Sequence, residues 1–208
     1  MDTLFHDLLS PRQLSALSSI VQIGNATFED LRKANEDIIQ HPYMKNNSGR
    51  IKTTLVQIQA ELERNDPSFP FRFNNRKLRF GQVVPELSTE KVVLHLARSS
   101  APNILPSGAK YKYALSYNND RIRRQLMIAN YSIPPAKYAP LYGILVFGYD
   151  DSDDAVIQFP EPGYSDIAEI IRIPKVVLVN NAMDDKKIER RKTSLKTEFL
   201  RRKKEDAK

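Results

Sequence analysis

The residues that could do chemistry are few and scattered along the chain. Asp150, Asp151, Asp153 and Asp154 crowd one short stretch. Convergent carboxylates of this kind are what a hard cation such as Mg²⁺ or Ca²⁺ requires. Their spacing lacks the glycine turn and distal glutamate of a calcium loop, so the stretch reads as an acidic hairpin turn and no metal is assigned. Asp166, Glu169 and Lys175 offer a second possibility, two acids and a lysine beside strands. A metal-dependent nuclease uses such groups to polarise a phosphodiester and activate water, but the usual Glu-x-Lys on one strand is missing. His6, His41 and His95 lie far apart and there is no cysteine, which argues against zinc. No Gly-x-Ser-x-Gly elbow and no glycine-rich phosphate loop occur among the seven glycines. No catalytic residue and no cofactor are therefore expected.

The other chemistry-bearing residues are cations. Eight basic residues between Lys45 and Arg79 face three acidic ones, and eleven between Asp184 and Lys208 face six. These two blocks exceed the total formal charge of +7, so the remainder is acidic. Charge arranged in blocks makes a field with a direction, which suits a polyanionic partner. The first block contains FPFRFNNRKLRFG, residues 69–81, where Arg72, Arg76, Lys77 and Arg79 interrupt a run of phenylalanines. Asn74-Asn75 reads as the turn of a tight hairpin, since Asn tolerates positive φ. Pairing across it sets Phe71 opposite Leu78, Phe69 opposite Phe80, and Arg72 opposite Lys77. Two cations facing each other repel, and an anion between them would relieve the cost. Tyr111, Tyr113 and Tyr117, read as one face of a strand, stand beside Lys110, Lys112, Arg121, Arg123 and Arg124. They make either a stacking surface for single-stranded nucleic acid or ordinary half-buried sheet core.

The elements that must position these groups follow from periodicity. The first ~65 residues read as helices. Leu4, Phe5, Leu8 and Leu9 share one face. Ser10 caps a second helix with Pro11 at its first position and a stripe of Leu14, Leu17, Ile20 and Val21, ended by Gly24. Thr27 and Asp30 resemble a capping box for a third, carrying Phe28, Leu31 and Ile38 and stopping before Pro42. Ile51, Leu55, Ile58 and Leu62 mark the clearest amphipathic helix. After residue 82, KVVLHLA, YKYALSY, YGILVFGYD and AVIQF read as strands, the last two joined by the acidic hairpin. From Asn181 onward Ile188, Leu195 and Phe199 give a narrow apolar stripe on a charged helix. The expected fold is α+β: a helical part over 1–82, a mainly antiparallel sheet over 83–181, and a basic C-terminal helix over 182–208.

Helices followed by an amphipathic helix with a polar face and then a basic hairpin resemble a winged-helix DNA-binding module. The resemblance covers about residues 10–82 and rests on the order of elements. It implies that Ser48, Arg50, Lys52, Thr53, Thr54 and Gln57 face DNA and that Arg72, Arg76, Lys77 and Arg79 form the wing. The link DIIQHPYMKNNSGR is longer and more irregular than that family's turn. Arg190, Arg191, Lys192, Arg201 and Arg202 of the tail would add phosphate contacts. The reading is a non-catalytic, DNA-binding regulatory protein whose residues 83–181 contact a protein partner or a second copy. The alternatives are an adaptor or inhibitor without nucleic acid and, third, a metal-dependent nuclease. No apolar run approaches the ~20 residues of a membrane span, there is no long apolar leader, and cysteine is absent. A cytoplasmic location is expected, nuclear in a eukaryote.

Overall fold

The computed structural model describes residues 8–78, 81–120, 139–149 and 154–175. Helix α1 spans Pro11–Ala34. Ser10 caps it as the sequence predicts: its Oγ accepts from the Gln13 amide at 3.3 Å, and Gln13 Oε1 accepts from the Ser10 amide at 2.7 Å. Leu17, Ile20 and Val21 are buried, which is the predicted stripe.

The expected break at Gly24 does not occur, because Gly24 serves packing rather than termination. A Cβ there would lie 2.7 Å from the Val56 side chain and 2.8 Å from the Val56 Cα. Only glycine lets the two helices approach this closely. Thr27 is likewise no cap: its hydroxyl donates to the Ile23 carbonyl at 2.8 Å, one turn back within the helix. The helix ends at Asn35. Two single turns follow, α2 (Glu36–Ile39) and α3 (Pro42–Lys45), before α4 (Ser48–Glu63). Leu55 and Ile58 of α4 pack on Phe28, with Ile51, Leu62 and Leu31 around them. Val56 and Ala60 are fully buried and join the main core.

Among the described residues six strands form one sheet in chain order: β1 (Arg72–Lys77), β2 (Val83–Ser88), β3 (Val92–Arg98), β4 (Leu141–Phe147), β5 (Ala155–Pro160) and β6 (Ile167–Arg172). All neighbours are antiparallel except β3 and β4, which are parallel. The fold is thus α+β, with a helical N-terminal region and a mostly antiparallel sheet. The charged C-terminal segment lies outside the described residues.

Two sequence expectations are corrected here. Asn74 and Asn75 are not a turn; they lie inside β1, paired with Glu86 and Pro85. The chain reverses later, where Gly81 takes φ +73° and the Leu78 amide donates to the Gln82 carbonyl at 2.7 Å. YKYALSY is not a strand but helix α5 (Lys110–Ser116), followed by a 3-10 turn at Tyr117–Asn119. A parallel β3–β4 pair needs a crossover, and α5 lies within it. The segment has no β-branched residue to oppose a helix.

Strand register sorts the side chains onto two faces. Leu87, Leu94, Leu96, Leu141, Leu145 and Ile157 point toward α1 and α4 and build the main core with Leu17, Ile20 and Val56. Tyr142, Ile144, Val146 and Val156 point the other way, against Leu115 of α5, Leu105 and Tyr164.

Gly24→Ala tests the close approach of the helices. Helix propensity alone would favour Ala by about 1 kcal/mol. The expected result is the opposite, a loss of roughly 1–3 kcal/mol from overpacking against the Val56 backbone, read as a lower urea midpoint.

Candidate nucleic-acid interface

Helix α4 presents one outer line of side chains. Arg50, Thr54, Gln57, Glu61 and Arg64 recur at intervals of three and four residues, so they stack along one side of the helix. Arg50 and Thr54 are exposed; Ser48, Lys52, Thr53 and Gln57 are half-buried. The hydroxyls of Thr53 and Thr54 donate to the Gly49 and Arg50 carbonyls at 2.8 and 3.0 Å. At the C-terminal end the Arg64 guanidinium lies 5.6 Å over the Phe73 ring of β1. That contact joins the outer line of α4 to the edge strand.

Strand β1 splits its cations between the two faces of the sheet. Arg72 and Arg76 alternate with Phe73 and Lys77. Arg72 pairs in register with Ser88 and Lys77 with Val83, so the expected Arg72–Lys77 opposition is absent. The misplaced turn produced that expectation. Arg50, Lys52, Arg72 and Lys77 have no ion-pair partner among the described residues. Arg76 is different: its Nη2 and Nε both reach Glu86 Oε2, at 2.8 and 2.9 Å. Arg79, Arg190, Arg191, Lys192, Arg201 and Arg202 lie outside the described residues.

The ion pair of Arg76 opens a buried polar chain that the sequence did not signal. Glu86 pairs in register with His95 on β3, and His95 Nε2 sits 3.3 Å from the same Oε2. The approach is off-axis, so the contact is electrostatic rather than an aligned hydrogen bond. His95 Nδ1 lies 3.3 Å from the Tyr142 hydroxyl, and the rings of Tyr111 and Tyr142 stand edge-on to the imidazole at 5.0 and 5.4 Å. Burial dominates this site and pulls the His95 pKa down to about 4; Glu86 opposes the shift, while Arg76 and Lys112 add to it. The ring is therefore neutral. With its proton on Nε2, it places an N–H beside Glu86 and accepts from Tyr142. Burial likewise raises the pKa of Tyr142 and Tyr111 and lowers that of Lys112 to about 8. Lys112 donates to the Ser107 carbonyl at 2.6 Å.

Helix α5 reaches this position through Asn119. Its amide nitrogen donates to the Tyr142 and Pro160 carbonyls at 2.9 and 2.7 Å, and its oxygen accepts from the Tyr142 amide at 2.8 Å. The tyrosines expected on one strand face are consequently separated. Tyr111 turns inward, while Tyr113 and Tyr117 are exposed. Arg121, Arg123 and Arg124 lie outside the described residues.

Among the described residues the acidic candidates form no shared centre. Of the aspartate cluster only Asp154 is described, and its carboxylate holds Lys175 at 3.0 Å. Asp166 accepts from the Ile167 amide, and Glu169 pairs in register with Phe159 within the sheet. Among the described residues no group of three His, Asp or Glu side chains could hold a metal ion, and no helix is long and apolar enough to cross a membrane. Sequence reasoning also missed Arg64 and the Glu86–His95 pair. A signal for the pair existed: ELSTEKVVLH reads as a hairpin that brings its first and last residues together.

Compared with family models, curated proteins and solved structures, the chain matches none.

The depressed His95 pKa gives a pH dependence with a defined sign. Between pH 6.5 and about 4 the unfolded chain takes up a proton that the folded ring refuses. Stability should therefore fall as pH drops through this window, by on the order of 3 kcal/mol, and be fully recovered above it. Urea midpoints across the range check this. His95→Gln should lose that part of the slope, whereas superimposable profiles would mean that His95 titrates normally.

Proposed function

We propose that the chain binds nucleic acid, with duplex DNA as the target, through the outer line of α4 and the edge strand β1. It acts as a binding module in which α4 is the DNA-facing helix and the β1–β2 hairpin is the wing. The supporting observation is the location of the unpaired cations. Arg50 on the outer line of α4, and Arg72 and Lys77 on β1, have no acid to neutralise them among the described residues; Lys52, two residues from Arg50, is half-buried on the other side of the helix and does not belong to this set. The Arg64–Phe73 contact joins the outer line of α4 to the face of β1 that carries Lys77, while Arg72 leaves the same strand on its other face. Phosphate oxygens are the chemistry that complements spaced, solvated Lys and Arg. Glu61 interrupts the line and would set a limit to the contact along α4. Arg76 has a different task in this reading: it clasps Glu86 and holds β1 to β2, so that Arg72 and Lys77 are presented on a fixed strand. Tail cations Arg190, Arg191, Lys192, Arg201 and Arg202 would add contacts without base discrimination. Residues 83–181 would carry a protein partner or self-association.

Anisotropy titrations of a labelled DNA duplex at two or more salt concentrations test this. Arg72→Ala with Lys77→Ala should leave the urea midpoint nearly unchanged, since both side chains are solvated. It should weaken binding and flatten the salt slope by about two, roughly one unit per lost phosphate contact. Arg76→Ala should instead cost about 1–3 kcal/mol of stability, because the Glu86 carboxylate is left poorly paired. Absence of binding at low salt would overturn the proposal and favour the adaptor reading.

A further inference from the structure

The opposite end of the sheet carries a cavity of about 510 Å³. Its floor and walls are Val156 of β5, Ile170 of β6, Ile173 and Tyr149, with Asn103, Arg172 and Asp154 as polar groups. Strand register explains the floor. Arg172 stands directly opposite Val156, so both side chains leave the sheet on the face away from α1 and α4.

The remaining wall is a loop held in place by buried polar groups. Gln158, fully buried and next to Val156 on the same face, donates to the Pro102 and Ile104 carbonyls at 2.8 and 3.0 Å. The Ser99 hydroxyl donates to the Ile104 carbonyl at 2.6 Å, and the Tyr164 hydroxyl to the Pro106 carbonyl at 2.8 Å. Four hydrogen bonds thus fix residues 99–106 over β5 and make the cavity a formed feature rather than a chance gap beneath a loose loop. At its edge Asp154 is already engaged by Lys175 at 3.0 Å. Arg172 has no hydrogen-bond or ion-pair partner among the described residues.

Apolar walls beside a guanidinium that has no partner among the described residues select a particular chemistry. The walls reward a flat or branched apolar body, and the planar guanidinium rewards a carboxylate or phosphate that can take two of its N–H groups. We propose that this cavity is a binding site for a small organic anion, an aromatic or aliphatic body bearing one carboxylate or phosphate, with Arg172 as its anchor. The site is separate from the α4–β1 surface and does not depend on that surface binding nucleic acid.

The probe is 1-anilinonaphthalene-8-sulfonate, which combines an aromatic body with one anionic group and fluoresces when its body leaves water. The full chain should bind it saturably, at one site per molecule. Arg172→Gln should weaken that binding about tenfold, the scale of a lost charge-assisted hydrogen bond. Asn103→Trp, placed at an exposed loop position, should fill the cavity and abolish the saturable site. Arg72→Gln, at the far edge of the sheet, should leave it unchanged. Near-UV circular dichroism establishes that each variant keeps its packing. Competition then separates the ligand classes: 3-phenylpropanoate or phenyl phosphate should displace the probe, the better of the two defining the anion. Benzyl alcohol, with the same ring and no charge, should compete at least tenfold less well. No saturable binding, equal competition by the alcohol, or unchanged affinity in both cavity variants would overturn the assignment, as would an Arg72→Gln effect as large as that of Arg172→Gln.

Discussion

The parallel pairing of β3 with β4 is the constraint on which the rest of this structure depends. Parallel strands cannot be joined by a tight turn, so the chain must leave the sheet and return. They are also characteristically covered on both faces. In this molecule Leu94, Leu96, Leu141 and Leu145 face one way, while His95, Tyr142, Ile144 and Val146 face the other, and all are buried. The first face is covered by α1 and α4, which pack closely on each other where Gly24 meets Val56. The second is covered within the crossover itself, by α5 and the loop that precedes it.

Covering the second face brings polar groups into the interior, and the structure resolves them locally. Asn119 uses both ends of its amide on the β4 and β5 backbone, which satisfies buried groups at the point where the crossover rejoins the sheet. His95 is kept neutral by burial and set between Glu86 and Tyr142. Glu86 in turn is neutralised by Arg76, which comes from the edge strand. The polar chain therefore runs from the doubly covered centre of the sheet to its edge. It gives β1 a charged attachment to β2 in addition to its backbone ladder. A buried pair of this kind is weak evidence for added stability, since desolvation offsets attraction. Its clearer effect is on position: it fixes the register in which Arg72 and Lys77 are presented.

The legible parts of this fold were those set by local signals. The Ser10 cap, the Leu17–Ile20–Val21 stripe, the Ile51–Leu55–Ile58–Leu62 helix and the central apolar strands all follow from periodicity and capping, and each is present. The failures share a cause, which is that tertiary contact overrode a local signal. Gly24 looks like a stop and is a packing contact. Asn74-Asn75 looks like a hairpin turn, yet the turn belongs to the segment closed by Gly81, and an Asn pair can equally lie in an exposed edge strand. The alternating tyrosines of residues 111–117 look like a strand, but the crossover requires a helix there. The outer cations of α4 and β1 were legible as a charge block, while the neutralisation of Arg76 was not. It depends on Glu86 and therefore on a strand register that the misplaced turn concealed. Arg64 was counted as charge and not as contact, because its stacking on Phe73 joins elements distant in the chain.

The same register argument bears on how the unpaired cations relate to one another. Among the described residues β1 and β6 are the outermost strands of the sheet, five strand spacings apart, or roughly 24 Å at about 4.8 Å per strand. Charges in solvent lose most of their mutual influence beyond about 8 Å at physiological ionic strength. Arg72 and Lys77 on one edge therefore do not contribute to the field at Arg172 on the other. A formal charge of +7 suggests one broadly basic molecule, but among the described residues the unpaired groups named here form two separate sets, each with its own local surroundings. One set lies on the outer side of a helix and on both faces of an outermost strand, where the groups are solvated. The other is a single guanidinium above apolar walls. On the readings proposed above, the two would differ in the anion they take, extended and multiply charged in the first case, compact and largely apolar in the second. Any coupling between them would have to pass through the packed protein rather than through solvent, because the direct electrostatic route is screened.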